Sequence, residues 1–435
     1  MAPRRLHLVC LAVLLIGAVA HAQWEQDGPA RYHCNGLLVV RLMGTPAQMG
    51  KQHGQLLGGQ VRRVVEDVIG GEAGDPASHA RLIAGTKRME RQLPPDLREE
   101  LHALADEARV DYWDLVALQL FGDVWRASQC SSFAVYGRAT ATGELIAGRN
   151  FDFWDHGVSE YAAVVLHYVP ETGLPFFTLT WAGIINGWTA MNIKGVLAAN
   201  NTSWGRSDSL DGLSTCFMIR KIVQHASTVA EGVKIVETTP RACGTNMLVA
   251  GGNPPAAAVV EYDHESVAVR WAKPGDAPMP ELPAKPQAPP AAGQPPTIGL
   301  RDGAGGDDFT FGNAGNTWVT PEDDYEYVSG LPGVAIATNH FRALHQDEPQ
   351  GGWVSWCGRY RKLERLIGEN YGQIDRSMNF IGQPGVAMGG INLQSVLLFP
   401  SDLTFRVSMG RAPAYEYPFR TLRLTPTAVV AAEGG

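Results

Sequence analysis

One cysteine stands at the head of an alternating, β-prone run, and two charged residues follow on the next such run. The cysteine is Cys130 in segment 129–136 (QCSSFAVY), and Arg149 and Asp152 lie in segment 148–152 (GRNFD). A guanidinium and a carboxylate beside a thiol can hold it as a thiolate, the form that attacks a carbonyl carbon. The alternative is a buried structural cysteine, because free cysteines pack like small apolar residues.

The composition is that of an ordinary globular protein. Of the 435 residues 45% are hydrophobic and 18% are charged, so the chain can bury a large core as one big domain or two smaller ones. The formal net charge is −8 and no basic run is present, which argues against nucleic acid as a partner. No apolar segment has the roughly 20 residues that a membrane span requires.

The amino terminus has the pattern of a secretory signal peptide. Two arginines, Arg4 and Arg5, precede the apolar run 8–20, which ends in Ala20-His21-Ala22. We therefore expect residues 1–22 to be removed and the mature protein to be secreted or periplasmic.

The cysteine count agrees with one free thiol. Five cysteines remain after the signal segment, an odd number in an oxidising compartment: Cys34, Cys130, Cys216, Cys243 and Cys357. A free catalytic Cys130 with up to two disulfides among the other four fits this count, and so do five reduced, buried thiols. No two cysteines have metal-ligand spacing, so we predict neither a metal nor a cofactor.

The segment before Cys130 is predicted to be mainly helical. A strand at 36–42 precedes a helix with Thr45 as N-cap and Pro46 as its first residue. A helical pattern then runs from 76 to 121, interrupted at Pro94-Pro95, with Asp96 expected to cap the next helix.

From Cys130 onward the pattern is mostly β. Strands are predicted at 132–136, 144–147, 162–168, 176–181, 195–199, 244–249, 257–262, 267–271, 394–399 and 403–409, and helices at 214–238 and 359–370. Residues 273–305 are rich in Pro, Ala and Gly and are predicted to form an exposed insertion. This order indicates stacked sheets with helices outside. A four-layer αββα sandwich agrees with it, but periodicity alone does not distinguish this fold from other layered folds.

Six short motifs in this order resemble the N-terminal-nucleophile hydrolases, in particular the autoproteolytic acyltransferase/hydrolase family typified by acyl-CoA:6-aminopenicillanic acid acyltransferase. The motifs are Met49–Gly54, Cys130–Ala134, Gly148–Asp152, Met191–Gly195, Gly244–Asn246 and Thr338–Phe341. The resemblance implies an α+β, four-layer αββα sandwich. It also implies that residues 23–129 form a pro-segment, or α subunit, and that residues 130–435 form the catalytic β subunit.

The resemblance also implies that Cys130 acts twice. Its thiol would first attack the Gln129 carbonyl and release the preceding segment, and its new α-amine, with a pKa near ~8 when unperturbed, would then serve as the base. His340 is therefore expected to be structural. Gln129 departs from the Gly that relatives often have there.

Further site residues follow from the similarity to choloylglycine and penicillin V amidases. Arg149 would favour the thiolate and Asp152 would orient the α-amine. Asn201, or Asn200 if the motif shifts by one residue, and Asn246 would donate to the oxyanion.

Arg359 would be a further active-site arginine. The alternative for each of these residues is a purely structural role.

The sequence thus predicts an exported, self-processing cysteine amidohydrolase or acyltransferase that cleaves a small N-acyl amide through a thioester, with its cleaved N-terminal segment as partner. A bile-salt, penicillin or acyl-homoserine-lactone amidase of the same superfamily is an alternative. So is a non-catalytic exported binding protein with the same fold. A papain-like protease is disfavoured because a strand, not a helix, follows Cys130.

Overall fold

Two β-sheets stacked face to face form the centre of the molecule. The computed structural model describes residues 28–71, 75–125, 129–278, 330–344 and 358–432. Within these ranges, sheet A has nine strands and sheet B has seven. Neighbouring strands are antiparallel except for one parallel pair near the edge of sheet A.

In spatial order, sheet A consists of β1 (Ala30–Cys34), β2 (Leu37–Gly44), β5 (Ala163–Pro170), β6 (Phe176–Trp181), β7 (Thr189–Asn192), β8 (Val196–Thr202), β9 (Thr245–Gly252), β10 (Pro255–Tyr262) and β11 (Val267–Trp271). Sheet B consists of β12 (Val334–Ala337), β3 (Gln129–Gly137), β4 (Gly143–Asp152), β13 (Asn392–Phe399), β14 (Thr404–Met409), β15 (Arg420–Leu424) and β16 (Val429–Ala431).

The helices of the described residues cover the outer faces of the two sheets. They are α1 (Pro46–Val64), which continues as a π-helical turn (Val65–Gly70), α2 (Pro76–Glu90), α3 (Pro95–Ala108), α4 (Tyr112–Trp125), α5 (Ser159–Ala162), α6 (Thr215–His225), α7 (Val229–Thr238) and α8 (Gly358–Glu369). Thr45 caps α1 in a capping box and Pro46 is its first residue, as predicted.

Three apolar cores separate the four layers. One joins α1–α4, α6 and α7 to the outer face of sheet A, for example through Leu101 and Val260. A second lies between the sheets, where Val259 of sheet A and Val396 of sheet B belong to one cluster. The third packs α8 on sheet B through Leu363. The predicted α+β, four-layer αββα sandwich is therefore confirmed.

The segment before Cys130 is more than a helical pro-segment. Its two strands, β1 and β2, form one edge of sheet A, and β2 pairs in parallel with β5 of the following segment. β1 was not predicted: two of its five residues are exposed and only Cys34 is buried. Asp96 is also not the cap of α3: Pro94 holds that position, since Pro95 with its fixed φ is the first helical residue.

Most of the Pro-rich insertion, residues 279–305, and Cys357 lie outside the described residues. None of the described helices is both long and apolar enough to cross a membrane.

A buried ion pair connects the segment before Cys130 to the segment after it. Glu100 on α3 and Arg220 on α6 form two hydrogen bonds, of 3.0 and 2.5 Å, and both side chains are almost completely buried. Removing one partner leaves a buried charge without compensation, which typically costs 3–5 kcal/mol.

We expect Glu100→Gln to lower the free energy of unfolding by about 3 kcal/mol, because the Arg220 charge loses its counter-charge. Urea unfolding of the full chain measures this change. The exposed pair Lys234–Glu237 supplies the control: Glu237→Gln should change the free energy of unfolding by less than about 1 kcal/mol. Equal losses in the two variants would contradict the assigned role of the buried pair.

Candidate active site

The first residues of β3 place Cys130 between the two sheets. Cys130 is opposite Phe151 on β4, and Ser132 is opposite Arg149. Because side chains alternate along a strand, Cys130 and Ser132 lie on the same face as Ala134, which belongs to the core between the sheets. The Cys130 side chain is completely buried.

The thiol of Cys130 lies beside a buried guanidinium. Arg149 Nη2 is 3.4 Å from Sγ and also donates to the backbone carbonyl of Asn200 at 3.2 Å. Burial raises the pKa of the Cys130 thiol, and the positive charge of Arg149 opposes this rise. A raised pKa keeps the thiol protonated at neutral pH in this state, whereas the nucleophilic form of a cysteine is the thiolate.

Two side chains hold the backbone of Cys130. Its N–H donates to Asn339 Oδ1 at 2.8 Å, and its carbonyl accepts from Arg359 Nη1 at 2.6 Å. Arg359 Nη2 also donates to Asn339 Oδ1, at 2.7 Å. Arg359 thus lies at the predicted nucleophile. Asn339 was not among the predicted site residues, although it belongs to the Thr338–Phe341 motif.

Asp152 lies at the same place, at the end of β4. Its Oδ1 accepts from Asn392 Nδ2 at 2.7 Å, and its Oδ2 is 3.7 Å from Arg359 Nη1. Burial raises the pKa of Asp152 to about 6, and the charge of Arg359 and the hydrogen bond from Asn392 oppose this rise. The carboxylate is therefore ionised only above about pH 6.

The two predicted oxyanion donors are engaged with protein acceptors. Asn201 Nδ2 donates to Ser132 Oγ at 2.8 Å and to the Asn246 carbonyl at 3.1 Å. Asn246 Nδ2 donates to the carbonyls of Thr338 and His340, both at 2.7 Å. The alternative Asn200 accepts from Arg149 through its backbone carbonyl. The oxyanion roles of these residues stay predictions.

The disulfides that the cysteine count allowed are absent among the described residues. Cys34, Cys130, Cys216 and Cys243 are all buried, and none of them forms a disulfide. All four belong to apolar clusters, so their burial requires no cross-link. In the same part of the chain, no group of three or more His, Cys, Asp or Glu is placed to hold a metal ion.

One family model matches part of the chain. Residues 139–274, about a third of the chain, match the model of the acyl-coenzyme A:6-aminopenicillanic acid acyl-transferase family. This match confirms the resemblance that the motifs indicate.

Two curated relatives and one solved structure are also similar. An uncharacterized protein of Archaeoglobus fulgidus is 25% identical over 301 residues, which are 61% of this chain and 50% of the relative. Protein dcd1A of Dictyostelium discoideum is 23% identical over 293 residues, 59% of this chain and 64% of the relative. The chain therefore spans only about half to two thirds of the length of these relatives.

The solved structure is that of the Caenorhabditis elegans N-acylethanolamine-hydrolyzing acid amidase ortholog. Its sequence identity is 13% and its TM-score 0.40, over 68% of this chain and 100% of that chain.

The charges around Cys130 predict that two substitutions shift the pKa of its thiol in opposite directions. Arg149→Met should raise the thiol pKa further, because burial of the thiol is then no longer opposed by the Arg149 charge. Asp152→Asn should lower it, because the carboxylate disfavours the thiolate. The pH dependence of iodoacetamide alkylation, mapped to Cys130 by mass spectrometry, measures both shifts. Shifts of the same sign would show that the variants act through altered burial instead of charge.

Proposed function

From the match of residues 139–274 to the acyl-coenzyme A:6-aminopenicillanic acid acyl-transferase family, we propose that the chain is an exported, self-processing cysteine amidohydrolase or acyltransferase. Its substrate is a small N-acyl amide, cleaved through a thioester on Cys130. One observation carries the proposal: the Cys130 thiol faces Arg149 while its backbone nitrogen donates to Asn339. The proposed nucleophile, Sγ, and the backbone nitrogen that becomes its base are thus held by different side chains.

Self-processing breaks the peptide bond between Gln129 and Cys130. Cys130 Sγ attacks the Gln129 carbonyl carbon, the C–N bond breaks, and the nitrogen takes the thiol proton and becomes an α-amine. Water then hydrolyses the thioester, which leaves a carboxylate on Gln129 and a free thiol on Cys130. The contacts of Asn339 and Arg359 with the Cys130 backbone support this step, since they can fix the nitrogen as the bond breaks.

Turnover of a substrate repeats this chemistry on an external amide. The neutral α-amine takes the proton of the thiol, and Sγ attacks the acyl carbon. The amine product leaves with that proton as the thioester forms, and water or a second amine accepts the acyl group. Arg149 stabilises the thiolate, and Asp152, when ionised, orients the α-amine by a charge-assisted hydrogen bond.

Export favours hydrolysis over transfer from coenzyme A. The proposed signal segment, residues 1–22, lies outside the described residues. A secreted or periplasmic enzyme meets water at high concentration, whereas coenzyme A thioesters are cytosolic metabolites. The segment 23–129 is the proposed α subunit and stays bound through β1, β2 and the Glu100–Arg220 pair.

The first test is intact-mass analysis with N-terminal sequencing. Wild-type protein should contain a new chain beginning at Cys130, and Cys130→Ala should stay uncut at that bond. Cys243→Ala is a matched control, because it removes another buried thiol and should be cut normally. A panel of N-acyl amides, assayed by amine release, should be hydrolysed only by the cut proteins. An uncut wild type that releases no amine would refute the proposal.

The second test uses the titration of Asp152. Because its pKa is raised to about 6 in the uncut protein, the carboxylate becomes protonated below that value and loses its ion pair with Arg359, the residue that holds the Cys130 carbonyl. Self-cleavage should therefore fall about tenfold per pH unit below about pH 6. Asn392→Leu removes the hydrogen bond that favours the carboxylate, so the midpoint should move to higher pH. A midpoint unchanged by Asn392→Leu would assign the acid limb to another group.

A further inference from the structure

Two polar residues face each other across neighbouring strands on the inner face of sheet A. Asn246 on β9 and Glu261 on β10 are direct register partners. Partners in an antiparallel pair point to the same face, and Val259, two residues before Glu261, belongs to the core between the sheets. Both side chains are completely buried. They therefore face sheet B, where β3 carries the nucleophile.

Asn246 holds the chain on both sides of Asn339. Its Nδ2 donates to the backbone carbonyls of Thr338 and His340, the residues before and after Asn339, at 2.7 Å each. These two contacts fix the peptide units that flank Asn339. The side chain of Asn339 is thereby placed where its Oδ1 accepts from the Cys130 N–H.

Glu261 holds the next part of the same segment. Its Oε2 accepts from three successive backbone N–H groups, those of Arg342, Ala343 and Leu344, at 2.8, 2.6 and 3.0 Å. Its Oε1 accepts from Arg270 Nε at 2.5 Å, and Arg270 Nη2 donates to the Ile336 carbonyl at 3.1 Å. The segment 336–344 is thus fixed before, at and after Asn339 by strands β9 to β11.

We propose that Asn246 and Glu261 are positioning residues that act as one clamp: they hold Asn339 against the backbone nitrogen of Cys130. This inference rests on the proposed function, in which that nitrogen becomes the base. Asn339 Oδ1 accepts from the amide before cleavage and from the α-amine after it. A hydrogen-bond acceptor favours the protonated amine, so loss of the clamp lowers the pKa of the base.

The clamp gives Asn246 a role other than oxyanion stabilisation. An oxyanion donor must point at the reacting carbonyl, whereas the Asn246 amide already has three acceptors, the third being Ser203 Oγ at 2.9 Å. The two roles differ in what they change. Loss of an oxyanion donor lowers kcat without changing the titration of the base, whereas loss of the clamp changes both.

Glu261→Gln is the direct test, because it keeps the shape of the side chain and removes the charge. In cut protein we expect kcat to fall roughly 10- to 100-fold, since a small displacement of a catalytic group has effects of this size. KM should stay within about twofold, and the kcat limb that reports the α-amine should shift to lower pH. Asn246→Ala should give the same pH shift, and it provides a second variant if Glu261→Gln folds poorly.

Asp263→Asn is the matched control. Asp263 is also completely buried, lies two residues after Glu261, and accepts from the backbone N–H groups of Glu265 and Ser266 at 3.2 and 2.8 Å. Its Oδ2 also accepts from the N–H groups of Arg206 and Ser207, in a different loop from segment 336–344. Its substitution should cost stability and leave the α-amine limb unchanged.

Three outcomes decide the question. A shifted limb in Glu261→Gln but not in Asp263→Asn supports the clamp. Unchanged kcat and pH dependence per folded molecule in Glu261→Gln, with an active wild type, overturns the clamp and leaves the proposed function standing. A wild type that neither cuts itself nor releases amine overturns the proposed function, and the clamp with it.

Discussion

One side-chain amide, that of Asn339, connects three of the four layers at Cys130. Its oxygen accepts from Cys130 of β3 in sheet B and from Arg359 of α8, and its nitrogen donates to the Thr202 carbonyl of β8 in sheet A at 2.7 Å. A shift of either sheet against the other would break one of these hydrogen bonds. The stacking of the two sheets and the placement of Cys130 therefore depend on the same hydrogen bonds.

The electrostatic environment of Cys130 favours a protonated thiol in the uncut chain. Burial raises the pKa of Cys130, and Arg149 offsets only part of the effect. Arg149 is itself buried, and its Nε and Nη1 have no hydrogen-bond partner among the described residues. A buried cation with unused donors is costly for folding, because ions lose hydration when they leave water. Such a cost is typical of sites where charge is placed for chemistry.

Local patterns predicted the layers of the fold well. Alternation in 404–409 and a cap at Thr45 are properties of neighbouring residues, and both elements occur where they were expected. The short strands β7 and β12 have four residues each, too few for a periodic signal, and were missed. Asp96 was misassigned because a proline at the first helical position already defines the start of the helix.

The site was harder to predict than the fold because its contacts join residues far apart in the chain. Arg149 and Asp152 were accessible from sequence, since they follow Cys130 on the next strand and pair with its neighbours. Asn339 contacts a nitrogen 209 positions earlier in the chain. In the sequence, Glu261 does not differ from other polar strand residues. Only the structure shows that the turn at 342–344 donates backbone N–H groups to its carboxylate. Such long-range contacts depend on topology, which no local pattern contains.

The position of β1 and β2 has a consequence for how a cut molecule would come apart. β2 pairs along six residues with β5, whereas the peptide bond at Gln129 belongs to sheet B. A break there would leave two chains that share sheet A, and unfolding would change from a unimolecular to a dissociative process. The melting temperature of the cut form would then rise with protein concentration, as it does for an obligate heterodimer.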